Sequence, residues 1–149
     1  LERTNHGVPK IFSYAANAEK ESRLNTPPVF TIYMMGLVFK WIMEQGGVSE
    51  LEIRNREKAG IIYDTIDGSE GFWIAHAEHG SRSMMNIPFR TKDPEMDKRF
   101  IAEAQENGMS TLKGHRSVGG MRASVYNAFP RSGCEALAGL MKDFAARNG

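Results

Sequence analysis

The stretch LKGHRSVGGMRASVYNAFP, residues 112–130, sets four basic side chains around a pair of glycines and then alternates apolar with polar residues. Gly119 and Gly120 can adopt positive φ, which predicts a tight bend. The alternation that follows predicts a strand from residue 121, and a second strand is expected before the bend at residues 110–112. The stretch therefore predicts part of a small sheet, with a basic turn at its edge.

Helices flank this sheet in the sequence. Apolar residues at helical spacing predict helices over residues 49–66, 94–106 and 132–146, and Asp-Gly and Asn-Gly end the first two. In the first of these helices one stripe is expected to be buried and another to face water. The buried set is Leu51, Ile53, Ala59, Ile62, Tyr63 and Ile66, and the solvated set is Glu50, Arg54, Glu57 and Lys58.

Two further strands are expected between these helices, in GFWIAHA (71–77) and RSMMNIPFR (82–90). Proline cannot donate to a sheet ladder, so Pro88 predicts that the second strand lies at an edge or ends its pairing early. The alternation of strands and helices predicts an α/β class, or an α+β-like small domain. Its small sheet, mixed or antiparallel, is covered by helices.

The segment LNTPPVFTIYMMGLVFKWIMEQGGV, residues 24–48, predicts a helix of a different kind. Asn25 or Thr26 is expected to cap it, and Gly46 and Gly47 to end it. Its apolar side chains fall on nearly every face, which indicates a helix covered by another domain or subunit. The apolar run is too short for the roughly 20 residues of a membrane span.

Charge and cysteine content narrow the class of protein. The chain has 149 residues, with 19 basic and 18 acidic side chains and a net charge of +1. Such a balance gives no overall field for nucleic acid or a membrane surface, so neither partner is expected. Cys134 is the only cysteine, which excludes an internal disulfide and favours a reducing, cytoplasmic setting.

The basic bend is the strongest candidate site. Arginine suits bidentate binding of carboxylate or phosphate, so His115 and Arg116 before the glycines and Arg122 after them indicate a ligand with two anionic groups. A solvated basic turn is the alternative. The helix start at Asn25 and Thr26 is a second candidate, for phosphate, with simple capping as its alternative.

Two further candidates are weaker. His76 and His79 are three residues apart, but neither His6 nor His115 supplies an obvious third ligand, so no metal is expected. Cys134 stands at a predicted helix start, where a lowered thiol pKa would favour a nucleophile. An ordinary packed thiol is the alternative, and the absence of a histidine close by in sequence favours it.

Residues 24–47, 81–90 and 112–130 together resemble the C-terminal part of the phosphoserine aminotransferases, which are class V pyridoxal-phosphate enzymes of fold type I. The resemblance runs from about residue 8 to the end. It implies amino transfer between glutamate and 3-phosphohydroxypyruvate, giving 2-oxoglutarate and phosphoserine, within a homodimer. It also implies that residues 1–24 are a linker from a cofactor domain and that residues 25–149 are the small domain with its connecting helix.

The resemblance assigns roles to the candidate residues. Asn25 and Thr26 fall where the family contacts the cofactor phosphate of the neighbouring subunit. His115 and Arg116 fall where it binds the substrate phosphate, and Arg122 where it binds the substrate carboxylate. Phosphoserine carries both groups, which accounts for a basic bend with separate anion sites.

One departure from the family is large. The Schiff-base lysine and its motifs do not occur in these residues, and Lys113 does not stand in that position, so no catalytic residue is expected here and the chain alone is expected to be inactive. A stand-alone, non-catalytic domain that binds a phosphorylated small molecule or a protein partner is the alternative function. A class V relative acting on another amino acid is disfavoured by the His-Arg pair.

Overall fold

The computed structural model describes residue 7 and residues 9–149, and these fall into two compact units, one that ends at residue 45 and one that covers residues 46–149. In the first unit a short 3₁₀ helix, Lys10–Phe12, precedes α1 (Tyr14–Glu19) and α2 (Val29–Glu44). The 3₁₀ helix and α1 lie within the predicted linker, residues 1–24, which falls partly outside the described residues. The proposed division at residue 25 stays a prediction.

Helix α2 begins later than the sequence indicates. Pro28 is its N-cap residue and no side chain caps it, so the prediction that Asn25 or Thr26 caps the helix is wrong. The physical reason is that the two prolines extend the chain between these residues and the first helical turn. No residue of α2 is buried, and Phe30 and Tyr33 are 76% and 62% exposed.

The second unit is a two-layer domain. Its elements are, in chain order, α3 (Gly47–Asp67), β1 (Ile74–Ala75), a 3₁₀ turn (His79–Ser81), β2 (Asn86–Arg90), α4 (Pro94–Glu106), β3 (Met121–Ser124) and α5 (Arg131–Asn148). The strands form one antiparallel sheet in the order β1-β2-β3. Helices α3, α4 and α5 cover one face of it, which confirms the predicted class.

Alternation along the strands separates the two faces of the sheet. Ile87 and Phe89 of β2 and Met121 and Ala123 of β3 are buried against the helices. Trp73 lies at the centre of this core, with its ring edge-to-face to Phe100 at 4.8 Å and to Phe89 at 5.6 Å. The opposite face carries half-buried and exposed residues, among them Arg122, so the core side of β3 fixes the strand while its outer side is open to a ligand.

Pro88 lies in the central strand, so the prediction of an edge strand is wrong. Its carbonyl accepts from the His76 N–H at 3.1 Å, on the side of β1, and its Cα partner in β3 is Arg122. The N–H and C=O groups of one residue point to the same neighbouring strand in an antiparallel ladder. The N–H that proline lacks would therefore also point towards β1. Strand β1 ends at Ala75, which confirms early termination of that pairing.

Two other local predictions are wrong. Residues 110–112 form a turn, since Thr111 has φ of 66°, outside the extended region; a single bridge, Lys113 to Met121, replaces the strand. In α3 the predicted burial is wrong for one residue of the buried set and for one residue of the solvated set. Ile53 is 52% exposed, whereas Lys58 is only 3% exposed.

Candidate functional site

The predicted basic bend is the closed end of a β-hairpin. Lys113 pairs with Met121, the Gly114 N–H donates to the Gly120 carbonyl at 2.8 Å, and the Arg122 N–H donates to the Leu112 carbonyl at 2.7 Å. A Cβ on Gly114 would lie 2.1 Å from a backbone oxygen across the hairpin. Only glycine therefore allows the two arms to approach this closely.

The tip of this hairpin presents His115 and Arg116 to solvent. The His115 carbonyl accepts from the N–H groups of Val118 and Gly119, both at 2.9 Å, which folds the tip into a turn. The His115 Nδ1 lies 2.7 Å from the Ser117 Oγ and 3.3 Å from the Ser117 N–H, which donates to it. A backbone N–H can only donate, so in this arrangement Nδ1 is the acceptor and Nε2 carries the proton.

Arg122 is placed differently, on the outer face of β3. It is half-buried, and its Nε is a buried donor with no acceptor in the described part of the chain. The side chain lines a cavity of about 520 Å³ together with Ser124 of the same strand and Ser132 and Gly133 of α5. No side chain caps the start of α5.

Arg122 and residues of the first turn of α5 line the same cavity, a combination that is suited to an anion. The helix contributes the positive end of its dipole, and the Arg122 fork matches a carboxylate. The hairpin thus carries two kinds of anion-binding group. His115 and Arg116 are exposed at the tip, and Arg122 is half-buried at the base.

Asn25 and Thr26 belong to the first unit, where both are exposed ahead of α2. The helix start behind them has no side-chain cap, and its first N–H, that of Val29, donates to the Pro27 carbonyl at 2.8 Å. The amide of Asn25 and the hydroxyl of Thr26 are both donors of the type that phosphate accepts.

The two weaker candidates have structural roles. His79 Nε2 lies 3.4 Å from Asp67, which also makes two hydrogen bonds of 2.7 Å with Arg82. Those hydrogen bonds lower the pKa of the Asp67 carboxyl. Within the described residues, which leave out His6, no three potential ligands cluster for a metal.

Cys134 is fully buried in α5. Burial raises the pKa of its thiol, which supports the favoured interpretation of an ordinary packed thiol over a nucleophile. Desolvation of the thiolate outweighs the nearby Lys58 charge, which by itself would lower the pKa of the thiol.

The class-V aminotransferase family model matches residues 6–137. The chain belongs to the class-V aminotransferases. It is 51% identical over 147 residues to phosphoserine aminotransferase of Geobacillus kaustophilus, covering 99% of this chain and 41% of the relative. The enzyme of Stenotrophomonas maltophilia is 50% identical, with 100% and 41% covered.

Solved structures extend this likeness to the fold. The phosphoserine aminotransferase of Bacillus circulans superposes with a TM-score of 0.88 at 44% identity, over 99% of this chain and 41% of that one. A pyridoxal-phosphate-bound phosphoserine aminotransferase from Trichomonas vaginalis gives 0.80 at 37% identity, over 94% and 40%. The chain thus spans about two fifths of the length of these relatives.

In this class-V aminotransferase chain, sequence reasoning missed one buried polar residue near the site. Lys58 of α3 was assigned to the solvated face, yet its ammonium is enclosed. A signal for it exists, because Leu51, Asn55, Lys58 and Ile62 recur at intervals of four, three and four residues and all four are buried. Helical spacing thus included Lys58 in the core stripe, and only its charge argued against it.

Proposed function

We propose that this chain is the C-terminal, substrate-recognising part of a phosphoserine aminotransferase, which transfers the amino group between glutamate and 3-phosphohydroxypyruvate and gives phosphoserine and 2-oxoglutarate. The observation that carries the proposal is the hairpin at residues 112–124. Its tip exposes His115 and Arg116, and at its base Arg122, whose buried Nε has no acceptor in the described part of the chain, is among the residues that line a cavity. Identity near 50% to phosphoserine aminotransferases supports it.

The chain's own residues perform recognition. Arg122 pairs with the α-carboxylate that glutamate and phosphoserine share. Arg116 binds the substrate phosphate as a cation, and His115 donates to it through Nε2–H, the proton position that its contact with Ser117 favours. Two separate anion sites orient a substrate that carries a phosphate at one end and a carboxylate at the other, which is the positional part of catalysis.

Pyridoxal phosphate, when bound, supplies the electron sink that transamination requires. Asn25 and Thr26 fit a contact to its phosphate in the neighbouring subunit, because they are exposed donors ahead of an uncapped helix start. The lysine that anchors the cofactor belongs, in this proposal, to a part of the complete protein outside these residues. The chain alone is then inactive.

A homodimer is part of the same proposal. The exposed apolar side chains of α2 support a covering domain or subunit, since large exposed apolar patches mark interaction surfaces. No helix in the described part of the chain is long and apolar enough to cross a membrane. The cytoplasmic setting expected from the single cysteine remains part of the proposal.

Substitutions in the complete enzyme test the assignment of the two anion sites. Arg122→Ala is expected to raise KM for glutamate and phosphoserine alike by at least about tenfold, because both lose a charge-assisted hydrogen bond. His115→Ala is expected to raise KM for phosphoserine selectively. Steady-state kinetics of both half-reactions measure these effects, with Arg56→Ala on the exposed face of α3 as control. Equal losses for both substrates in the His115 variant would refute the phosphate assignment.

A further inference from the structure

The ammonium of Lys58 is enclosed by main-chain carbonyls. It donates to the carbonyl oxygens of Tyr126 at 2.7 Å and Phe129 at 3.1 Å, and to those of Val125 and Asn127 at 3.3 Å. Only 3% of the residue is exposed. In the described part of the chain its hydrogen-bond partners are all backbone oxygens.

Burying an ammonium group is costly unless its protons are satisfied, which makes such a residue informative. Desolvation lowers the pKa of Lys58, as expected for this enclosure. Three ammonium protons serve four acceptors, so the carbonyls must converge on one point. The loop at residues 125–129 is thereby wrapped around the end of one side chain.

A further hydrogen bond connects the same loop to α3. The Asn55 side-chain amide, one turn before Lys58, donates to the Asn127 Oδ1 at 2.8 Å. The loop is also packed tightly on α5, since a Cβ on Gly133 would lie 2.6 Å from the Phe129 ring. Rotation or displacement of the loop would therefore break contacts with both helices.

This loop connects the two elements that border the Arg122 cavity. It begins directly after β3, which carries Arg122, and ends at the start of α5. Lys58 does not line the cavity. Its carbonyl contacts nevertheless determine where the strand leaves the sheet and where the helix starts.

We propose that Lys58 is a positioning residue for the anion site at Arg122, acting through the four carbonyls of the loop between β3 and α5. The inference rests on the proposed function only in its choice of substrate. The structural claim is that the guanidinium of Arg122 and the N-terminus of α5 keep their relative placement because Lys58 holds the loop.

Lys58→Met tests this in the complete enzyme, because methionine retains the length of the side chain and removes all three donors. KM for glutamate and for phosphoserine should rise together by about tenfold, with kcat changed less than about twofold. The reason is that a misplaced Arg122 would bind the α-carboxylate of either substrate less tightly. Lys58→Gln, which keeps two donors, should recover part of the loss. Arg56→Ala on the exposed face of α3 is the matched control.

A second readout does not depend on activity. In the 149-residue chain the Arg122 Nε–H NMR resonance should shift and broaden in Lys58→Met and move back towards its wild-type position in Lys58→Gln. If full-length wild-type enzyme shows no transamination, the proposed function fails, and this resonance still tests the positioning claim. An unchanged Arg122 resonance, or a lower melting temperature with unchanged KM values, would overturn the proposal. If Lys58→Met does not fold, Lys58→Gln alone must show the parallel KM increase and the shift.

Discussion

Cys134 shows at the scale of one residue how burial decides chemistry. Its thiol is fully enclosed at the start of α5, and burial raises its pKa. The thiolate is the reactive form of cysteine, so a raised pKa makes the group inert in the native protein. The position of a cysteine near a helix N-terminus therefore does not by itself predict a nucleophile.

We expect Cys134 to react with a thiol reagent at pH 8 far more slowly in the native chain than in denaturant. The folded-state pKa lies above the unfolded one, so this residue's contribution to stability is complete below about pH 8.5 and is lost as pH rises through the raised value. With an aromatic disulfide as the reagent, the absorbance of the thiolate released from the reagent measures the reaction rates with and without guanidinium. Equal rates would contradict an enclosed thiol.

The pKa of Asp67 is shifted in the opposite direction from that of Cys134. Arg82 lowers the pKa of this carboxyl, so its stabilising effect is present above the ordinary value of about 3.9 and is lost as pH falls through the lowered value. Asp67→Asn should lower the free energy of unfolding at pH 7 by about 1 kcal/mol, a modest figure for a partly exposed pair. Urea unfolding at pH 7 and at successively lower pH measures it, and the difference between wild type and variant should shrink as the pH falls below about 3.9. Glu52→Gln, in an exposed pair with Arg56, serves as control.

At this candidate site, the clustering of charges could be read from the sequence, but the burial of the residues could not. His115, Arg116 and Arg122 could be selected because their charges cluster around two glycines. Lys58 could not, because a lysine at a core position is read as solvated unless its partners are known. Those partners are backbone oxygens 67 to 71 residues further along the chain, and no side-chain pattern reveals them.

At the scale of elements, helices were predicted within a few residues because caps and apolar stripes are local. The segment at 94–106 has the predicted bounds, with Asp93 as the cap. Strands were predicted less well, since their pairing is not local. Pro88 was compatible with the central strand because its missing donor faces β1, which is only two residues long, and Thr111 ended an expected strand by its positive φ.

Two glycine substitutions test different properties of the chain: one tests the geometry of the hairpin and the other the helix propensity of α5. Gly114→Ala should open the hairpin and weaken carboxylate binding in the complete enzyme, because its Cβ would lie 2.1 Å from a backbone oxygen. Gly139→Ala, in an exposed turn of α5 with no atom within 4 Å of the added Cβ, should stabilise the chain by about 0.5–1 kcal/mol.

Denaturant unfolding and substrate KM measure both variants. A Gly114→Ala enzyme with wild-type KM values would show that the closed hairpin is not required for binding. A destabilised Gly139→Ala would show that α5 is not limited by helix propensity at that position.

At the scale of the whole chain, the buried core is confined to one unit. Every buried residue of the core cluster lies between Ala59 and Phe144, within the second unit, residues 46–149. The apolar α2 of the first unit has no buried residue. This contrast agrees with the proposal, in which the hairpin belongs to a unit with its own core, while α2 and the proposed cofactor contact depend on further protein.

The binding of phosphoserine distinguishes a shared site from a self-sufficient one. If the site is completed by another domain and subunit, the 149-residue chain should bind phosphoserine at least about a hundredfold more weakly than the complete enzyme, because the loss of two or more charge-assisted contacts costs about 3 kcal/mol or more. Calorimetric titration of both proteins, with serine as the unphosphorylated control, measures this difference. Tight, phosphate-dependent binding by the short chain alone would instead establish a non-catalytic binding domain, because Arg122 and the hairpin tip would then suffice as a site.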